Sequence, residues 1–109
     1  VDGERRIEMV GKYILEGKEP KLVDDILEWG RWFENTATRR VAYTELANDV
    51  RISTVFLGLD HSFGNGKPLL FETMIFGGEH DDYCERYSTW GEAEVGHLEA
   101  IKLARGEIA

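Results

Sequence analysis

The sequence predicts an α+β domain: an antiparallel meander of about four strands, a helix in the N-terminal half and a second helix at the C-terminus. Three observations carry this expectation. Residues 39 to 87 hold four runs of β-forming residues joined by short, turn-rich links. DDILEWGRWFENT repeats apolar residues at three- and four-residue spacing, and STWGEAEVGHLEAIKLARG carries both the start signal and the apolar stripe of a helix.

The elements follow in order. Residues 1 to 8, VDGERRIE, read as a polar leader whose order is not assumed, and residues 9 to 109 as one domain. KYILEGKEPKLV alternates apolar and polar residues about Gly17 and contains Pro20, which suggests a short hairpin or an arm at a sheet edge. A helix is expected from about 24 to 35, capped by Asp24, with Ile26, Trp29, Trp32 and Phe33 turned toward the core.

RRVAYTEL should be a strand with Arg39, Val41, Tyr43 and Glu45 on one face and Arg40, Ala42, Thr44 and Leu46 on the other. A turn at ANDV leads to RISTVFLGLDH, and FGNGKP returns the chain as LLFETMIFGG. Gly77 and Gly78 release that strand, and DDYCERY comes back as the fourth. In the last helix Thr89 and Glu92 have capping-box spacing, Gly106 can end it, and Ala93, His97, Ala100, Ile101 and Ala104 form a stripe of mostly small residues. Such a stripe lets a helix sit close to a sheet or to a symmetry mate.

Composition narrows the function classes. The 109 residues carry 13 Lys and Arg against 21 Asp and Glu, a net charge of −8 that repels phosphate backbones and anionic membranes. Nucleic acid and membrane are therefore not the expected partners. A single cysteine allows no internal disulfide and no Cys-x-x-Cys metal site, and no run is long and apolar enough to span a bilayer. With no signal-peptide pattern at the start, a cytoplasmic location in the host cell is expected.

Chemistry has few places to sit. Asp60, His61 and Glu72 are the candidate acid–base groups, but strand alternation sends Asp60 and His61 to opposite faces, and Asp60 suits a turn acceptor. Glu72 interrupts an apolar strand. Because both faces of the hairpin strands are largely apolar, each is expected to be partly covered, and Glu72 to be paired with Arg39, Arg40, His61 or His97. His97 lies on an apolar helix stripe, where a packed, hydrogen-bonded histidine is the expected reading. His61 and His97 could join Glu72 or Asp60 around a metal, but no spacing demands it, and neither metal nor cofactor is expected. Cys84 sits among acidic residues that raise a thiol pKa, so it is a poor nucleophile. Arg39, Arg40, Glu72, His97, Tyr43 and Trp90 are the candidate ligand-binding residues.

The run STVFLGLDHSFGNGKPLLFETMIFGG, preceded by GRWFE and RRVA and followed by RYSTWGEAEVGH, resembles a recurrent group of small proteins of unassigned function encoded in bacteriophage and bacterial genomes. The likeness spans about residues 12 to 98. It implies a phage or mobile-element accessory gene, intracellular during infection, whose domain begins near KYIL. It implies no activity, cofactor or catalytic residue.

The expectation is a non-catalytic binding module, homodimeric, for a host protein or a small metabolite. A small acid–base enzyme using Glu72, His61 and Asp60 is the alternative, and a minor virion or assembly component the third reading.

Overall fold

The structure is a computed structural model that describes residues 11–35, 39–62 and 66–107. The 1–8 leader and the 63–65 part of the predicted Gly-Asn-Gly turn lie outside them. The order is β1 (Tyr13–Glu16), β2 (Glu19–Leu22), α1 (Ile26–Asn35), β3 (Arg40–Glu45), β4 (Arg51–Phe56), β5 (Phe71–Phe76), β6 (Cys84–Tyr87) and α2 (Trp90–Ala104). Strands β3 to β6 form one antiparallel sheet in sequence order, the predicted meander, while β1 and β2 form a separate hairpin. No helix of the described residues is long and apolar enough to cross a membrane.

Strand alternation divides the sheet. Ile52, Thr54 and Phe56 of β4 and Phe71, Thr73 and Ile75 of β5 are fully buried, and α2 lies over them. The capping box at Thr89 and Glu92 forms, with Thr89 Oγ1 accepting from the Glu92 N–H at 3.1 Å and Glu92 Oε1 accepting from the Thr89 N–H at 3.1 Å. These two bonds satisfy backbone donors that the first helical turn otherwise leaves unpaired, which fixes where α2 starts. The helix presents Ala93, Gly96, His97 and Ala100 to the sheet.

Beneath α2 there are two apolar clusters rather than one. Phe56, Leu70, Phe71 and Ala93 pack with Tyr13, Leu15, Trp32 and Trp90 at one end, and Ile52, Ile75 and Ala100 with Leu46, Val50 and Ile101 at the other. A polar row separates them. Thr54 and Thr73 are register partners on adjacent strands with hydroxyls 2.5 Å apart, and His97 bridges Thr54 (Nδ1, 2.7 Å) and Thr44 (Nε2, 2.8 Å). Both ring nitrogens are thus partnered, the condition under which a buried imidazole is tolerated. His97 is the packed core histidine expected from its helix stripe.

The N-terminal helix departs from expectation at its start. Asp25, not Asp24, caps it, its Oδ1 accepting from the Leu27 N–H at 2.9 Å. Ile26, in the first turn, is 61% exposed, while Trp29, Trp32 and Phe33 turn inward. Their seat is Gly58, which takes φ +80 just past β4, where its carbonyl accepts from Trp29 Nε1 at 3.1 Å and the Phe33 ring lies on its Cα. A side chain there would meet Phe33 at 2.6 Å and would have to adopt a left-handed backbone, so glycine is required twice over.

Two further expectations are corrected. A bulge between Arg40 and Ala42 shifts the phase of β3, so Arg40 stands opposite Val55 and joins the face of Tyr43 instead of the opposite one. Among the described residues the sheet is also covered on one side only. Among the described residues no helix or strand lies over the face carrying Tyr43, Ser53, Val55, Glu72 and Met74, because both helices and the β1–β2 hairpin pack on the other side.

Candidate functional site

The uncovered face is built by the register of the meander. Tyr43, Ser53, Met74 and Cys84 form one row across all four strands; Val55, Glu72 and Arg86 form the next, and Glu45, Arg51 and Phe76 the one on the other side. The centre is apolar, with Val55 and Met74 half-buried and Tyr43 38% exposed. Around it each arginine is held against a neighbour. The Arg40 guanidinium lies 4.4 Å from the Tyr43 ring centroid, Arg51 lies 5.5 Å from that of Phe76, and Arg86 Nε is 3.0 Å from Glu72 Oε2. Three arginines against two glutamates make this face locally basic on a chain of net charge −8.

Glu72 therefore has its partner, but not one of the four expected. The acceptor is 14% exposed at its side chain and takes Arg86 Nε–H and, at 3.3 Å, the Cys84 thiol. A carboxylate with two donors at the rim of an apolar surface is stable without any catalytic role. Burial pushes the Cys84 thiol up from its ordinary pKa, and the hydrogen bond to Glu72 and its charge add to the shift. At neutral pH the thiol is thus held back from its reactive thiolate form. Replacing Glu72 with Gln is expected to speed alkylation of Cys84 by iodoacetamide several-fold, read by mass spectrometry of the intact chain. An unchanged rate would show that Glu72 does not control the thiol.

The other candidates lie elsewhere. Asp60 Oδ1 accepts from the Ser62 N–H at 2.8 Å and the Leu69 N–H at 3.0 Å, closing the two ends of the β4–β5 connection. Burial alone would raise its pKa; the backbone donors of Ser62 and Leu69 and the neighbouring His61 outweigh it, and the net shift is downward. His61 uses its backbone N–H to bond Leu69. Among the described residues no two of Asp60, His61 and Glu72 hydrogen-bond each other, and no group of three metal-ligating side chains gathers. Arg39 packs 3.9 Å from the Phe33 ring centroid and donates to the Phe56 carbonyl, so it seats α1. Trp90 stands edge-on to Phe71, with Lys18 5.8 Å from its ring. His97 is under α2.

Of the six ligand-binding candidates, then, only Arg40, Tyr43 and Glu72 share a surface. Arg51, Arg86, Val55 and Met74 belong with them and were not singled out from the sequence. DDYCERY was expected only as the fourth strand; the register that sets Arg86 opposite Glu72 is what the sequence lacked. Compared with known proteins, the chain matches no family model, no curated protein and no solved structure.

Proposed function

We propose that this chain is a non-catalytic binding module, of phage or mobile-element origin, that engages a host protein inside the cell through the uncovered face of its sheet. The observation that carries the reading is the apolar centre of half-buried Val55 and Met74 and exposed Tyr43, left without a covering element among the described residues and ringed by Arg40, Arg51 and Arg86. Aromatic and arginine side chains around an apolar centre are the composition of interface hot spots. A sheet face suits a protein better than a small metabolite, which needs a concave enclosure. The arginines favour a partner with carboxylates around its own apolar patch. The phage assignment rests on the resemblance alone.

The test is capture of a host protein by the wild-type chain, with affinity then measured against Tyr43→Ala and Met74→Ala. Each is expected to weaken binding about 10- to 30-fold, the range of hot-spot truncations, with the fold retained by circular dichroism. Equal affinity of both variants would place the binding surface elsewhere. Sedimentation of the free chain separates a second copy from a foreign protein as the occupant: a homodimer broken by the same two variants assigns the face to self-association.

A further inference from the structure

A second surface, independent of the first, runs along the far edge of the sheet. Between β6 and α2 lies a groove of about 520 Å³, walled by Tyr83, Glu85 and Tyr87 on the strand side and by Glu92, Val95 and Glu99 on the helix side. Tyr83, Tyr87 and Val95 give it apolar surface, and Val95 is 60% exposed within it although it is a branched aliphatic residue. The walls include three carboxylates and no cation. Glu92 is partly spent on the capping box, whereas Glu85 and Glu99 have no such duty. Their charges are felt at Tyr83, whose pKa burial, then Tyr87 and these two carboxylates, push up to about 12.

The strand wall of this groove is also the edge of the sheet. Among the described residues β6 pairs only with β5, so alternate backbone N–H and C=O groups of Cys84–Tyr87 point outward with no described strand to receive them. At four residues and with Glu85 and Arg86 charged, CERY is a short edge, but it contains no proline or lysine and runs in regular register, so its outward backbone groups stay open to a partner strand. A strand laid beside β6 would send every second side chain into the groove, toward Val95 and the carboxylates.

We propose that the β6 edge and the groove under α2 together receive an extended, basic segment of a partner protein, which adds to the sheet as another strand. Backbone hydrogen bonds to Cys84–Tyr87 give the pairing. An aliphatic side chain seats against Val95 between the two tyrosines, and lysine or arginine side chains two residues to either side reach Glu85 and Glu99. Side chains on the alternate positions lie beside Arg86 and Cys84, where a further cation is disfavoured. The recognised pattern is thus cation, neutral, aliphatic, neutral, cation.

The experiment titrates the isotope-labelled full chain with the peptide Thr-Lys-Thr-Val-Thr-Lys-Thr and follows backbone amide shifts. The expected result is saturable shifts confined to Cys84–Tyr87 and the Gly91–Glu99 face of α2. The double variant Glu85→Gln, Glu99→Gln should weaken binding about four-fold or more, two exposed ion pairs being lost. Two control peptides, one with glutamate in place of lysine and one with proline in place of the threonine after valine, should not bind. Binding of the proline peptide or of spermidine with equal affinity would overturn strand addition, since neither can complete the ladder. Binding of the glutamate peptide would overturn the charge assignment, and shifts centred on Tyr43 and Met74 would overturn the location.

Discussion

Replacing Gly96 with alanine is expected to destabilise the protein by about 3 kcal/mol, a loss in the upper range for a single methyl group. On helix propensity alone the change should stabilise by about 1 kcal/mol, because glycine is the costlier residue inside a helix. Packing reverses the sign. A Cβ built on Gly96 would overlap the Tyr87 hydroxyl and ring, which lie directly on the helix backbone. Tyr87 packs on the cluster of Phe56, Leu70, Phe71 and Ala93, so a ring displaced into the groove beside α2 to relieve the overlap loses that packing. Gly91 supplies the control on the same helix. Nothing lies within 4 Å of a Cβ there, so Gly91→Ala is expected to be neutral or stabilising by up to about 1 kcal/mol. Thermal melts of the two variants should therefore shift in opposite directions.

The second large effect concerns the polar row between the clusters. His97→Leu removes the shared partner of Thr44 and Thr54 and leaves two hydroxyls under α2 without it, at an expected cost of about 2–4 kcal/mol. The wild-type row also makes stability depend on pH. Burial holds the His97 pKa below its ordinary value of 6.5. The unfolded chain therefore takes up a proton at higher pH than the folded chain does, and protonation pulls toward unfolding. The contribution is fully present above 6.5 and is lost as pH falls from there toward the lower folded value. Denaturant midpoints measured from about pH 8 to about pH 5 should fall for the wild type, and that part of the slope should vanish in His97→Leu. Asp60 acts in a separate, lower window: its folded pKa lies below 3.8, so the turn it holds is lost only as pH falls past that value.

Much of this architecture was legible in the residues. Turn-rich links without a helical pattern between β-rich runs pointed to the meander, and the Thr89–Glu92 box located α2 closely. Asp60 read correctly as a turn acceptor, and His97 as a satisfied core histidine. What failed depended on phase and on long-range pairing. One bulged residue in RRVA moved Arg40 to the other face, the cap is Asp25 and not Asp24, and Ile26 in the first turn stays exposed. The apolar character of both hairpin faces suggested cover on both sides. Composition along one strand cannot distinguish a face buried within the chain from one left open, since Val55 and Met74 suit either. Glu72 was recognised as a paired carboxylate, yet its partner Arg86 became visible only with the register between β5 and β6.

Cys84 offers the most direct test of the open face as the working surface, because it is the chain's single cysteine, is exposed and sits in the central row with Met74. Its alkylation rate should be measured on the full-length chain alone and in complex with the captured host protein. Occupation of the face is expected to slow the reaction at least about tenfold, matching exclusion of reagent from a well-packed interface core. An unchanged rate while the complex stays intact would contradict the assignment and remove the sheet face as the binding surface.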